Sequence, residues 1–258
     1  MATSSSKENP QLLERGNLYF LYRPKVEQDS VEALEDVQRF YFVLEPYGRD
    51  WFRLITLGKK SLPSRDEANQ QGWCFVESVS EDGGDIEEGL RRETYETKTR
   101  GDRTQPAARP VGEGLYKIVL TENQTRLVYA LELPDEIGTA QQAFNISETG
   151  NYIVSVKNPD TPTPQGAGFQ DAERKADFPK RLQKRFQDRR FIAVDPIDFL
   201  DYVGAELILI STDSESAEDI GVSLNPKEED ESTAEVINNL KMRKSRHPLD
   251  PLLKGKLK

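Results

Sequence analysis

The feature that most constrains this chain is a series of nine short apolar and aromatic runs, each closed off by turn-forming residues. They are NLYFLYR (17–23), QRFYFVLE (38–45), WFRLITLG (51–58), GWCFVESV (72–79), GLYKIVLT (114–121), TRLVYALEL (125–133), GNYIVSVK (150–157), RRFIAV (189–194) and AELILIST (205–212). The runs are rich in Val, Ile, Tyr and Phe and are bounded by Gly, Pro, Asn or Asp, which is the pattern of strands. Alternation is visible in Tyr152, Val154 and Val156, and in Leu127, Tyr129, Leu131 and Leu133. That alternation predicts sheets with one wetter face. Thr121 to Thr125 has the length and chemistry of a hairpin connection.

A parallel sheet needs a crossover helix between successive strands, and most gaps here are short or lack helical periodicity. Three segments are helix candidates: Ser30–Val37, Glu136–Phe144, and Phe178–Phe186, where Phe178, Leu182 and Phe186 recur on one face. The expected fold is therefore α+β and β-rich, mostly antiparallel strands with a few short helices. A faint internal repeat aligns GNLYFLYR…QRFYFVLEP…FRLITLGKKSLP with GEGLYKIVL…TRLVYALELP…NYIVSVKNPDTP. Two similar β units would explain it; so would chance, because strands and turns draw on few residue types.

The chain divides into a disordered leader (1–14), a globular part (15–212) and a tail (213–258). Within the globular part, two β subunits at 15–80 and 112–212 would be joined by an Arg-rich loop at 81–111. Residues 80–113 and 158–177 break the strand pattern, and polar stretches of that length are functional or disordered in compact domains. In the tail, nine acids between Asp213 and Glu235 give way to seven Lys/Arg between Lys241 and Lys258. The whole chain is 31% charged and only 36% hydrophobic, richer in charge than ordinary globular domains. The tail is accordingly expected to be disordered when free.

Several function classes are set aside by composition. The formal net charge of −10 repels nucleic acid and anionic membrane, so a polyanion would need a local basic patch. No window reaches the apolar length of a membrane helix, and the N-terminal stretch carries no apolar signal core. A single cysteine, Cys74, makes no internal disulfide and points to the cytoplasm; it reads as an inert core thiol. The single His247 lies in the polar tail, so Cys/His zinc spacings and imidazole-dependent nucleophiles are not expected. No metal or cofactor is expected.

ETYETKTRG (93–101), ARPVGEGLY (108–116), NYIVSVKNP (151–159) and DFLDYVGAELILI (198–210) resemble a family of uncharacterised bacterial proteins. The resemblance covers residues 15–212 and leaves out the tail. It implies a soluble bacterial protein with no assigned activity, and it transfers no catalytic residues.

Three segments are candidates for function. The long loop at 89–114 carries Arg91, Arg92, Lys98, Arg100, Arg103 and Arg109 against Glu93, Glu96 and Asp102. Arg forks match phosphate or carboxylate, Tyr95 could stack on a ring, and Gly101, Gly112 and Gly114 let backbone approach an anion. The bland alternative is a solvated loop whose charges pair with neighbouring acids. Second, residues 174–190 hold eight basic residues, among them Lys180, Arg181, Lys184 and Arg185, against Asp177 and Asp188. A helix here would pack its apolar stripe inward and offer a cationic face, unless the protein's own acids, including the acidic tail, neutralise it. Third, Asp195, Asp198, Asp201 and Glu206 could do acid–base work, but Asp195-Pro-Ile-Asp reads better as an N-cap followed by acids in a first turn. Trp51 and Trp73 read as core.

The leading expectation is a non-enzymatic binding or regulatory protein engaging an anionic ligand, nucleic acid or an acidic protein surface through Arg-rich segments. A histidine-independent hydrolase or transferase acting on a phosphorylated or sugar substrate is the alternative, and a structural interaction module is a third.

Overall fold

Leu18 to Tyr22 are five consecutive residues with almost no exposed surface, so the strand they form is covered on both faces. A computed structural model describes residues 9–64, 69–99, 101–122, 124–162, 175–212 and 217–257. The run lies in β1 (Gln11–Pro24), which is followed by β2 (Val37–Pro46), β3 (Phe52–Leu57) and β4 (Gln71–Ser80) in an antiparallel meander. A second meander consists of β7 (Arg109–Thr121), β8 (Gln124–Leu133), β9 (Thr149–Lys157) and β11 (Glu206–Ser211). Between the meanders lie helix α1 (Gly83–Leu90) and a separate hairpin of β5 (Glu93–Thr97) and β6 (Gly101–Gln105).

The meanders join at both edges. β1 pairs antiparallel with β7, Tyr19 opposite Glu113, and β4 pairs with β11, Cys74 opposite Leu207. The eight strands thus form a closed barrel, the arrangement that leaves no edge for unwanted pairing. Short β10 (Phe191–Ala193) takes up β9 where β8 leaves it. Thr125 marks the handover, its hydroxyl donating to the Val154 carbonyl and accepting the Val194 N–H. The repeat visible in the sequence corresponds strand for strand to the two meanders, β1 with β7, β2 with β8 and β3 with β9.

All eight barrel strands send side chains to one interior core. Phe20 stacks on Phe40 and meets Tyr129 edge-on, and Phe144, following α2 (Thr139–Ala143), stacks on Phe40 and Tyr22 to close one end. Toward the other end, fully buried Arg53 bonds Glu14 at 2.6 Å and Asp201 at 2.6 and 2.8 Å, while Tyr116 donates to Glu14 at 2.7 Å. Trp51 and Trp73 are only half-buried, Trp73 meeting Phe191 edge-on.

The alternate residues of β1–β3, including Tyr19, Leu21, Tyr41, Val43, Phe52 and Leu54, face outward into a second apolar cluster. The C-terminal segment covers it. Ala234, Val236, Leu240, Met242 and Leu252 are each fully buried there, on a path that includes α4 (Glu235–Asn238) and α5 (Asp250–Lys254). Earlier in the same segment, Val222 packs on Val119 and Val128. The expectation of a disordered tail is corrected over 217–257: the charge of the segment conceals apolar residues spaced to cover a two-faced sheet. The reading of 80–113 as a loop is likewise corrected. Asp82 caps α1 by accepting from the Gly84 N–H, Ile86 and Leu90 bury its inner side, and the threonine-rich hairpin is mostly exposed.

Candidate functional site

Most cations of the 89–114 segment are engaged within the fold. Arg91 pairs with Glu87 on α1 at 2.5 Å, and Arg92 pairs with Asp29 at 2.6 Å. The Arg92 hydrogen bond holds the Asp29 carboxyl below the usual carboxylate range. Arg103 approaches Glu27 at 3.8 Å, whose carboxylate also accepts the Thr104 N–H. Arg109 is buried, donates to the Asp29 carbonyl at 2.5 Å and lies 6.0 Å from the Tyr22 ring centre. Arg92, Arg103 and Arg109 bind the β1–β2 connection to the hairpin root. Lys98 and Tyr95 stay exposed on the hairpin, and Arg100 lies outside the described residues. The segment is a structural clamp of helix and hairpin, not a solvated loop.

The carboxylates are also engaged, each separately. Asp198 and Asp201 sit in a 3-10 turn (Ile197–Asp201) with no side-chain cap, so the N-cap reading of Asp195 is corrected. Asp198 takes Arg181 at 2.6 Å, Asp201 takes Arg53, and Glu206 takes Lys157 at 3.2 Å. None of the four acids is paired with Arg103 or Arg109. Cys74 is fully buried, and burial pushes its thiol far up, consistent with an inert core thiol. No group of His, Cys, Asp and Glu among the described residues is arranged to hold a metal ion.

The basic segment behaves differently. Helix α3 (Lys180–Phe186) buries Leu182 and Phe186. Phe178, just before it, meets Phe199 and Tyr202 edge-on at 5.1 and 5.4 Å, and Phe186 meets Phe199 at 5.4 Å. This aromatic cluster fixes the helix on the barrel end, and Gln187 at φ 51° stops it. Lys180, Arg181, Lys184, Arg185 and Arg189 all point to solvent. Arg181 has Asp198; among the described residues no carboxylate pairs with Lys180, Lys184, Arg185 or Arg189. Arg190 donates to the Pro162 carbonyl at 2.6 Å. Arg185 and Arg189 border a shallow cleft of about 230 Å³ shared with Glu122 and Asp195. Arg174 lies outside the described residues. The acidic part of the tail does not cover this face: from residue 217 on it runs along β7 and β8, with Lys117 donating to the Ser223 carbonyl and the Lys227 N–H to Glu132.

A second groove of about 900 Å³ is anionic, lined by Glu132, Asp135, Glu148, Glu228, Glu229 and Asp230 with Lys227. Beside it Glu113 is buried, its oxygens accepting the N–H groups of Glu235 and Val236 at 2.5 and 2.9 Å. Burial first, and then the neighbouring Glu229 carboxylate, push the Glu113 carboxyl up to about 9. Glu235, raised by burial and the Glu229 charge, stands at about 7. His247 was expected in a loose tail; it is fully buried, with Nδ1 2.7 Å from the Ala108 carbonyl and Nε2 3.0 Å from Glu87. No local pattern around His247 or Glu113 distinguishes them from surface residues; only the long-range packing does.

No helix among the described residues is long and apolar enough to cross a membrane. No family model, curated protein or solved structure matches the chain.

Proposed function

We propose that this protein is a non-enzymatic cytoplasmic binding module that engages an extended anionic partner through the exposed face of α3. One observation supports this most: the rigidly anchored helix presents Lys180, Lys184 and Arg185 to solvent with no carboxylate partner among the described residues, in a chain whose net charge is −10. Surface cations in an acidic protein ordinarily find acids, as Arg91, Arg92 and Arg181 do here. Exposed helix cations left unpaired keep their full field for an incoming anion. The face is open and carries no aromatic side chain, so recognition rests on charge rather than on base stacking. Of the candidate acids, Asp198, Asp201 and Glu206 are held in ion pairs, which weighs against their use in the catalytic alternative.

The test is retention on immobilised heparin by the full chain and by a Lys180→Glu, Lys184→Glu, Arg185→Glu variant. All three side chains are exposed, so circular dichroism should be unchanged while affinity falls about tenfold or more. Equal retention of the two proteins would remove the basis for this reading.

A further inference from the structure

We propose that residues 226–257 form a proton-controlled strap, docked over the outer apolar face of β1–β3 when Glu113 carries a proton and loosened when it loses it. The geometry of docking is close. A Cβ on Gly83 would lie 2.2 Å from the Asn239 carbonyl, and one on Gly138 would lie 2.2 Å from the Gly255 carbonyl, so the strap backbone rests directly on the body at two points. Its polar ties are few and specific: Asn239 donates to Glu45 at 3.0 Å, Lys241 pairs with Asp82 at 2.5 Å, and Gln141 donates to the Pro251 carbonyl at 3.0 Å.

One of the ties depends on a proton. Glu113 receives both first N–H groups of α4, yet it lies against the Glu229 carboxylate of the strap and near Tyr19 of β1. Glu235 beside it feels Glu229, Glu45 of β2 and Glu132 of β8, with Lys227 as an opposing cation. A neutral Glu113 can share its proton with Glu229 while its oxygens accept from the backbone. An ionised one adds a buried like charge to a carboxylate cluster. At the far end, both His247 nitrogens face acceptors, the Ala108 carbonyl and the Glu87 carboxylate, with Arg91 and Arg246 also on Glu87.

The sign follows from Glu113. Its carboxyl is raised from an ordinary 4.5 to about 9 in the docked state, so docking is fully supported below the ordinary value. That support is lost as pH rises toward 9. Glu235, raised to about 7, adds to the loss in the lower part of this window.

Hydrogen exchange of the full chain, corrected for the intrinsic pH dependence of exchange, tests the proposal. Protection of the Glu235, Val236 and Asn239 amides is expected to fall by about tenfold per pH unit between pH 6 and 8. Glu113→Gln keeps one acceptor for the backbone and a donor for Glu229, and is expected to hold protection level above pH 7, leaving below it only the shallower slope that Glu235 contributes. Glu229→Gln, removing the opposing charge, is expected to flatten the slope in part. Strap protection that does not change with pH in the native chain, or the same slope in both variants, would overturn the proposal.

Discussion

Removing the chain after Thr212 is expected to leave a protein that no longer unfolds cooperatively and that binds hydrophobic dyes. Truncation strips Val236, Leu240, Met242, Leu249 and Leu252 from the fold, each no more than 1% exposed. Burial of one such side chain is worth about 1.5–3 kcal/mol, so the five together rival the whole stability of a typical domain, ~5–15 kcal/mol. The loss is compounded because Tyr19, Leu21, Tyr41 and Val43 on the barrel exterior become an exposed apolar patch. Thermal unfolding and dye fluorescence of the truncated chain check this. A sharp transition at the native temperature without dye binding would mean that the C-terminal segment adds nothing to the fold.

Arg53→Met is expected to destabilise the protein by about 3–5 kcal/mol, the usual penalty for removing one partner of a buried ion cluster. The guanidinium is wholly buried between Glu14 and Asp201, and both neighbouring charges raise its proton affinity further against the opposing effect of burial. With it gone, two carboxylates of low exposure face each other, and only Arg49, 3.4 Å from Asp201, remains to offset them. Arg53→Lys should recover only part of the loss, since a point charge cannot reach both acids as the planar fork does. Denaturant unfolding reads the difference; a shift below about 1 kcal/mol would place this cluster among the weak surface pairs.

The strands were legible because each draws enough Val, Ile, Tyr and Phe between turn residues to mark itself. All nine runs became strands. What local pattern does not carry is pairing at long range: nothing in 17–23 or 109–121 announces that Tyr19 will sit opposite Glu113. The hairpin at 93–105 escaped notice because Thr and charged residues fill both its faces. The tail was misread through averaging, because its acids and bases outweigh Ala234, Val236, Leu240 and Met242 in any composition window. A signal did exist: 18–22 and 40–44 are continuous apolar runs rather than alternating ones, and a strand buried on both faces requires a second cover. For the candidate site, the basic helix and its inward stripe of Phe178, Leu182 and Phe186 were readable from spacing. That Arg92, Arg103 and Arg109 would clamp the 24–36 connection, and that Arg91 would pair with α1, depended on Glu27, Asp29 and Glu87, which the sequence places outside the loop itself or at its border.

The role of α3 is tested most directly by the salt dependence of single-stranded RNA binding by the full chain, read by fluorescence anisotropy. Three backbone contacts from Lys180, Lys184 and Arg185 give an expected slope of about −2 in log affinity against log salt, roughly 0.7 per contact. The slope should approach zero in the charge-reversed variant. Binding at low salt with that slope, lost on reversal, is the expected result; no binding at low salt, or a slope indifferent to the three substitutions, would contradict it.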